Sequence, residues 1–313
     1  MPPRTRARQA GARWIQFAPA ACFAVTFAVC SRCGHITLVA PAPKYTHFGI
    51  NTYSLEIGNK RILVDPLLVG DLTFGNQRWA FVGTPPSASK LRAEEVKLHF
   101  DAIVLSQGLP DHAHEPTLQV IDKTVPVIAS PSAAGIVQRL GYSNVRVLEP
   151  GQDMKVGGTL QIMAVPGSVV GPPWQDPENG YIFRDTREGG LAIGAEPHGN
   201  FLGPLLGTSI RRLPKPPDVP LDALIMPLKK QTLAGYPLVN GMQEAVSTLE
   251  ALRPKPRFLI PLRNGELSVE GALTAALEQE GSVEDFRAIL QGNPRLRGLE
   301  LLCPAVGEPV SIC

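Results

Sequence analysis

The chain has 313 residues, of which 44% are hydrophobic, enough to bury the core of one large domain or two small ones. Aromatic residues make up only 6%, beside 31 prolines and 30 glycines, which favours short elements joined by turns over a bundle of long helices. Six basic residues and no acidic ones precede residue 45, and the rest carries 24 basic against 28 acidic residues. This mildly acidic body lacks the basic stripe that nucleic-acid binding requires.

Residues 1–43 are predicted to form a cleavable targeting segment. They are rich in arginine and contain one apolar run, Phe17–Val29, whose 13 residues fall short of the roughly 20 that a membrane-spanning helix needs. A leader without acidic residues predicts chloroplast import, with secretion and mitochondrial import as alternatives. We expect a mature domain over residues 44–313 that is not stably inserted in a membrane.

The body is predicted to alternate short strands and helices. A Gly58-Asn59 turn should join the first two strands into a hairpin. In chain order, the predicted strands are Phe48–Ile57, Lys60–Val64, Ala102–Leu105, Val125–Ala129, Val145–Leu148, Leu160–Val165, Tyr181–Phe183, Gly190–Ile193, Leu221–Met226 and Phe258–Pro261. The predicted helices are Glu115–Ile121, Ser132–Leu140, Met242–Leu252, Val269–Glu280 and Val283–Leu290.

An ordered set of short motifs carries a family resemblance over roughly Thr46 to Arg263. The motifs are Ile62-Leu63-Val64-Asp65-Pro66, Ile103-Val104-Leu105-Ser106 followed by Asp111-His112, Val165-Pro166, Leu191–Glu196, Leu224-Ile225-Met226-Pro227 and Leu259-Ile260-Pro261. This set resembles the metallo-β-lactamase superfamily, in particular its lactonase-like branch with plant and cyanobacterial relatives. The resemblance implies an α/β fold, a four-layer αββα sandwich with two metal ions at one sheet edge.

The first metal position of that family has lost its histidines in this sequence. The resemblance implies an H-x-H-x-D-H loop after the first buried strand, but Gln107 and Leu109 replace its first two histidines. The third histidine should follow Val165-Pro166, where Gly167-Ser168 stands instead. Leucine cannot ligate a metal and glutamine is a poor zinc ligand.

The second metal position is partly preserved. Asp111 and His112 remain, and Glu196 matches the bridging carboxylate that the resemblance implies. Arg263 stands where the final histidine is expected, and a guanidinium cannot ligate a metal. We therefore assign catalytic roles to Asp111, Glu196 and Arg263.

Three interpretations of this remnant remain open. In the first, the pocket is free of metal and Arg263 pairs with Asp111 or Glu196. In the second, a single zinc, iron or manganese ion is held by metal ligands drawn from Asp111, His112, Glu196, His198 and His114. The third is the two-metal hydrolase of the family.

Two functional hypotheses follow from these interpretations. The first is a hydrolase of a small ester, lactone or phosphorylated metabolite, in which Gln107, Trp174 and Lys229 bind a substrate that we expect to be anionic. The second is a non-catalytic relative that binds a small anion or a protein partner. The orientation of Arg263 should separate them, since an inward guanidinium favours the second hypothesis and an inward His114 or His198 favours the first.

Overall fold

The structure, a computed structural model, describes residues 40–86, 100–168, 178–199 and 219–313, and the backbone of two short strands before them. Contacts divide the chain into two compact units, Met1–Val39 and Ala40–Cys313. In the first unit, strands β1 (Phe27–Val29) and β2 (Ile36–Leu38) pair antiparallel. Most of the predicted targeting segment, and the predicted substrate residue Trp174, lie outside the described residues.

The second unit alternates strands with a few helices. In chain order its strands are β3 (Lys44–Gly49), β4 (Thr52–Ile57), β5 (Lys60–Val64), β6 (Leu72–Thr73), β7 (Val82–Thr84), β8 (Ala102–Leu105), β9 (Val127–Ala129), β10 (Val145–Val147), β11 (Asp153–Val156), β12 (Leu160–Pro166), β13 (Asn179–Asp185), β14 (Ala192–Ala195), β15 (Ala223–Pro227), β16 (Lys230–Leu233), β17 (Tyr236–Val239), β18 (Phe258–Leu262), β19 (Ser268–Glu270), β20 (Leu277–Glu280), β21 (Glu300–Leu301) and β22 (Pro309–Ser311). The helices are α1 (Glu115–Val120), α2 (Pro131–Arg139), α3 (Met242–Ala251) and α4 (Val283–Gly292), with short 3-10 helices at Ala272–Ala276 and Pro294–Leu296.

Two seven-stranded sheets form the body of this unit. The first sheet has the order β10-β9-β8-β5-β4-β3-β22, and the second has the order β11-β12-β13-β14-β15-β18-β21. Two further three-stranded sheets, β17-β16-β20 and β19-β7-β6, are built from segments that follow β15, β18 and β5. Among the described residues, no helix is long and apolar enough to cross a lipid bilayer.

The hydrophobic core defines four layers. Val104 and Ile225, one from each large sheet, belong to the apolar cluster between the sheets. Their chain neighbours point the other way, because successive side chains of a strand alternate between its faces. Ile103 packs with α1 and α2, and Leu224 packs with α3 and α4. This arrangement confirms the predicted four-layer αββα sandwich.

Most predicted elements are confirmed, but two are wrong. The predicted strand Phe48–Ile57 is two strands, since Gly49 and Ile50 adopt positive φ (120° and 53°) and reverse the chain before β4. The predicted helix Val269–Glu280 is a strand, a 3-10 helix and a second strand. Its apolar residues are not buried on one helical face, and edge pairing with β7 and β16 determines its conformation instead.

Candidate metal centre

Polar residues gather where strands of both large sheets end. Asp65 follows β5, and the segment from Ser106 to His112 follows its parallel neighbour β8. Glu196 and His198 follow β14 in the other sheet. The carboxyl ends of neighbouring parallel strands form a shared edge, which is the usual ligand site of such sheets.

His112 is fixed on both ring nitrogens by carboxylates. Its Nδ1 lies 2.9 Å from Oδ2 of Asp65, and its Nε2 lies 3.2 Å from Oδ2 of Asp111. The Asp65 carboxylate also accepts hydrogen bonds from the backbone N–H of Ser106 (2.8 Å) and from its hydroxyl (2.6 Å). Asp65 therefore orients the imidazole and directs Nε2 toward Asp111, the carboxylate–histidine arrangement typical of metal-ligating histidines.

Glu178, His198 and Glu196 form the second half of the cluster. Nδ1 of His198 is hydrogen-bonded to Oε1 of Glu178. The Glu196 carboxylate accepts from the backbone N–H groups of Ser168 (3.2 Å) and His198 (3.3 Å). The rings of His112 and His198 lie 4.9 Å apart between centroids, so the two halves adjoin.

The described residues therefore contain two overlapping sets of metal-ligating atoms. One set is Asp111, His112 and His198, and the other is Glu178, Glu196 and His198. Within each set the ligand atoms lie within 4.8 Å of one another. His198 belongs to both sets, so the five side chains converge on one small volume.

The electrostatics of the cluster favour a bound cation. Burial raises the pKa of Glu178 well above its usual value, and the carboxylates of Glu196, Asp65 and Asp111 raise it further. Burial would lower the pKa of His112, but the Asp111 and Asp65 carboxylates outweigh burial and raise it to about 10. Four carboxylates so close together cannot all stay ionised in a buried site without compensating positive charge.

The residues fit a divalent metal ion. Among the described residues, Oδ1 of Asp111 and Oε2 of Glu178 are buried without a hydrogen-bond partner. Such orphaned carboxylate oxygens are costly unless a cation or a proton satisfies them. A mixed set of carboxylates and imidazoles suits zinc, iron or manganese.

Two of the predicted residues are held elsewhere. His114 is buried, but its Nδ1 lies 3.0 Å from Oγ1 of Thr117 and its Nε2 lies 3.3 Å from the carbonyl oxygen of Asp71. The guanidinium of Arg263 donates to the carbonyl oxygen of Pro304 (2.7 Å) and lies 3.4 Å from the Glu266 carboxylate. Within the described parts of the chain, Arg263 forms no ion pair with Asp111 or Glu196, the pairing on which the metal-free interpretation depends.

Two of the predicted substrate residues, Gln107 and Lys229, lie in described segments that follow strands. Gln107 is fully buried in the segment after β8. Lys229 follows β15 at the same sheet edge, and its amine lies beside Gly265.

Sequence reasoning missed Glu178 and the role of Asp65. Glu178 lies directly before β13, whose first residue Asn179 pairs with Pro166 at the end of β12. It therefore stands opposite Gly167-Ser168, where the resemblance implied a lost histidine. In the sequence, Asp65 and Glu178 are each recognisable only as a carboxylate beside the end of a predicted strand. That feature is too common to identify either residue as part of a metal site.

The chain is similar in sequence to known proteins. A family model described as the beta-lactamase superfamily domain matches residues 44–263. A metal-dependent hydrolase of Xanthobacter autotrophicus is 27% identical over 122 residues, which are 37% of this chain and 42% of that protein. The match thus spans less than half the length of this curated relative.

Solved structures share the fold over most of the chain. A possible metal-dependent hydrolase from Veillonella parvula has a TM-score of 0.61 at 18% identity and covers 86% of this chain and 99% of its own. An isothiocyanate hydrolase from Delia radicum gut bacteria has a TM-score of 0.58 at 16% identity, with coverage of 86% and 99%. A novel metallo hydrolase from Ignicoccus hospitalis has a TM-score of 0.55 at 16% identity, with coverage of 86% and 97%. At these identities the likeness shows the fold alone.

Proposed function

Because this chain belongs to the beta-lactamase superfamily, we propose that it is a metal-dependent hydrolase whose metal ligands differ from the histidines that the family resemblance implied. The observation that carries the proposal is the pair of overlapping ligand sets that share His198. Asp111, His112 and His198 would hold one ion, and Glu178 and Glu196 extend the site toward β13. The convergence of these five side chains supports an occupied metal site rather than a metal-free pocket.

The protein's own residues would position this site. Asp65 holds Nδ1 of His112, and Ser106 in turn donates to Asp65, so that the imidazole keeps one orientation. Backbone N–H groups hold the Glu196 carboxylate in place. Lewis-acid activation of the scissile bond and of the attacking water is the chemistry that a divalent cation supplies when bound.

The position of Arg263 favours the hydrolase over the non-catalytic alternative. A guanidinium inside the cluster would supply the missing positive charge and leave no need for a metal. Arg263 instead contacts Pro304 and Glu266, and His198 enters the cluster. Arg263 thus supplies no compensating charge to Asp111 and Glu178, whose orphaned carboxylate oxygens support a bound metal ion.

We propose a small ester, lactone or phosphorylated metabolite as the substrate class. These substrates share an electrophilic carbonyl or phosphoryl centre that a divalent cation can polarise. Lys229 lies at the same sheet edge as the cluster and offers a positive charge for an anionic group of the substrate. A panel of a p-nitrophenyl ester, a lactone and a phosphate monoester tests these classes on the metal-loaded protein.

Metal content is the decisive measurement. The full chain, purified without chelators, should contain at least one equivalent of zinc, iron or manganese by mass spectrometry. Asp111→Asn and His198→Gln should lower the metal content and weaken the affinity for zinc at least tenfold in a chelator competition, since too few ligands remain.

His114→Gln is the matched control for these variants. It removes another buried histidine two residues from His112 whose ring nitrogens contact Thr117 and Asp71. This variant should keep its metal. A chain that binds no metal even in excess zinc, iron or manganese would refute the hydrolase proposal and leave the non-catalytic alternative.

A further inference from the structure

A second pocket lies at the far edge of the second sheet from the metal centre. It has a volume of about 200 Å³ and is bounded by the segments before β18 and before β21. The metal centre instead follows the carboxyl end of β14, which runs parallel to β15 and thereby to β18. Five residues of β18 span about 16 Å, so the two sites are separate.

The pocket has an apolar floor and is closed by two connected segments. The floor is formed by Leu249, Pro256, Leu296 and Leu299. One wall is tied to the other by hydrogen bonds, from Nζ of Lys255 to the carbonyl oxygen of Arg295 and from the backbone N–H of Glu300 to the carbonyl oxygen of Arg257 (2.8 Å). These hydrogen bonds fix the two segments relative to each other and so maintain the shape of the pocket.

Three cations line the pocket without carboxylate partners. Lys255, Arg257 and Arg297 are exposed at its rim. In the parts of the chain that the structure describes, none of the three forms an ion pair, whereas nearby Arg295 is paired with Glu250 at 3.0 Å. The three charges at the rim are therefore available to an anionic ligand.

The charge of this region differs from that of the rest of the molecule. Residues 249–257 and 293–300 carry five basic residues and only two acidic ones. The chain after residue 44 carries 24 basic and 28 acidic residues, so positive charge is concentrated at this pocket. An acidic body opposes binding of a long polyanion but not of a small anion held locally.

We propose that this pocket binds a small phosphate ester that carries an apolar group. Arginine guanidinium groups match the geometry of phosphate oxygens and can donate two hydrogen bonds at once. The leucine floor would cover the apolar group of the ligand. A volume of about 200 Å³ is below the range of roughly 300–1,000 Å³ that is usual for larger ligands, so the ligand should be small.

Calorimetric titration of the full, metal-loaded chain with phenyl phosphate tests the proposal. We expect saturable binding that Arg257→Gln and Arg297→Gln each weaken roughly tenfold, because each removes a charge-assisted contact. Inorganic phosphate should bind more weakly than phenyl phosphate, and phenol should not bind detectably. Equal affinity for the two phosphates would overturn the role of the apolar floor.

Two further variants make the test specific. Arg139→Gln removes a distant arginine that is paired with Glu115, and it should bind phenyl phosphate like the unmodified chain. Asp111→Asn, altered at the metal centre, should also retain the binding. Loss of binding in Asp111→Asn together with full binding in Arg297→Gln would place the ligand at the metal centre and refute the second site. If the unmodified chain does not bind phenyl phosphate at all, the second site is also refuted.

Discussion

Single side chains around His112 divide into those that would touch a metal and those that position its ligands. Asp65 belongs to the second kind, since its carboxylate holds Nδ1 of His112 while Nε2 faces Asp111. Asn51 also approaches this pair, with its amide nitrogen 3.5 Å from Oδ2 of Asp111. Positioning residues of this type commonly contribute 10–100-fold to metal affinity.

Asp65→Asn should therefore weaken zinc binding by roughly 10–100-fold while the ligands remain present. An amide has one uncharged acceptor oxygen in place of two carboxylate oxygens, so it cannot accept both hydrogen bonds from Ser106 together with that from Nδ1 of His112, and His112 loses its fixed orientation. Chelator competition measures the affinity. Asp101→Asn, at the opposite end of the same sheet and paired with Lys60, is the matched control and should leave zinc affinity unchanged. Equal affinities of the two variants would contradict the positioning role.

His47 provides a pH-dependent contribution to stability away from the metal centre. Burial, together with the charge of Arg263, lowers its pKa to about 3. The folded protein therefore keeps His47 neutral, while the unfolded chain binds a proton below about pH 6.5. Stability from this residue is complete above pH 6.5 and falls as the pH drops toward 3.

We expect His47 to lower the free energy of unfolding by about 2 kcal/mol between pH 6.5 and pH 5. Urea unfolding of the unmodified chain and of His47→Gln at several pH values measures this contribution. The variant should show a correspondingly shallower loss of stability over that interval, whatever its stability at neutral pH. Parallel pH profiles would show that His47 is protonated in the folded state as well.

At the scale of elements, the β4–β5 hairpin connects the two large sheets at the edge away from the metal centre. Its turn residues Gly58 and Asn59 both have positive φ, 61° and 60°, as the favoured two-residue hairpin turn requires. The carbonyl oxygen of Gly58 accepts a hydrogen bond from the Thr159 hydroxyl of the facing sheet. A Cβ on Gly58 would lie 3.1 Å from the backbone nitrogen of Leu160.

Gly58→Ala should lower the free energy of unfolding by about 2–3 kcal/mol, from a left-handed alanine and crowding against Leu160. Gly158→Ala is the control, because its φ is also positive (81°) but no atom lies within 4 Å of the added Cβ. It should cost only about 1 kcal/mol. Denaturant titration measures both, and metal content should not change. Equal costs would show that the contact between the sheets does not constrain the turn.

For the whole molecule, metal binding and folding should be coupled. Ligands for one cluster come from the segments after β8 and β14 and before β13, so both sheets must be assembled before the site exists. A metal bound only to the folded chain stabilises it by about 4 kcal/mol at a thousandfold excess over the dissociation constant. The metal would also relieve repulsion among the buried carboxylates.

Calorimetry of the chain with and without a chelator should therefore show a melting temperature several degrees lower after metal removal. In the Asp111→Asn variant the chelator should lower the melting temperature less, because this variant binds metal more weakly. A chelator effect of equal size in both proteins would place the stabilising ion outside the proposed site.

Much of the architecture could be predicted from the sequence. Short apolar runs such as Ala102–Leu105 and Ala223–Pro227 are buried strands, since their hydrophobicity is local and independent of distant residues. Predictions were wrong where pairing overrides local pattern, as at residues 269–280, whose two strands are edge partners of other segments. The targeting segment and its destination stay predictions.

Sequence reasoning alone, through the family resemblance, indicated the sandwich and the sheet edge at which Asp111, His112 and Glu196 would collect. Only the tertiary structure decided that Glu178 and His198 enter the cluster, that His114 lies against Thr117, and that Arg263 contacts Pro304. The physical reason is that strand burial is set by local hydrophobicity, whereas a metal centre depends on side-chain directions. Those directions follow from register and packing between segments that are far apart in the chain.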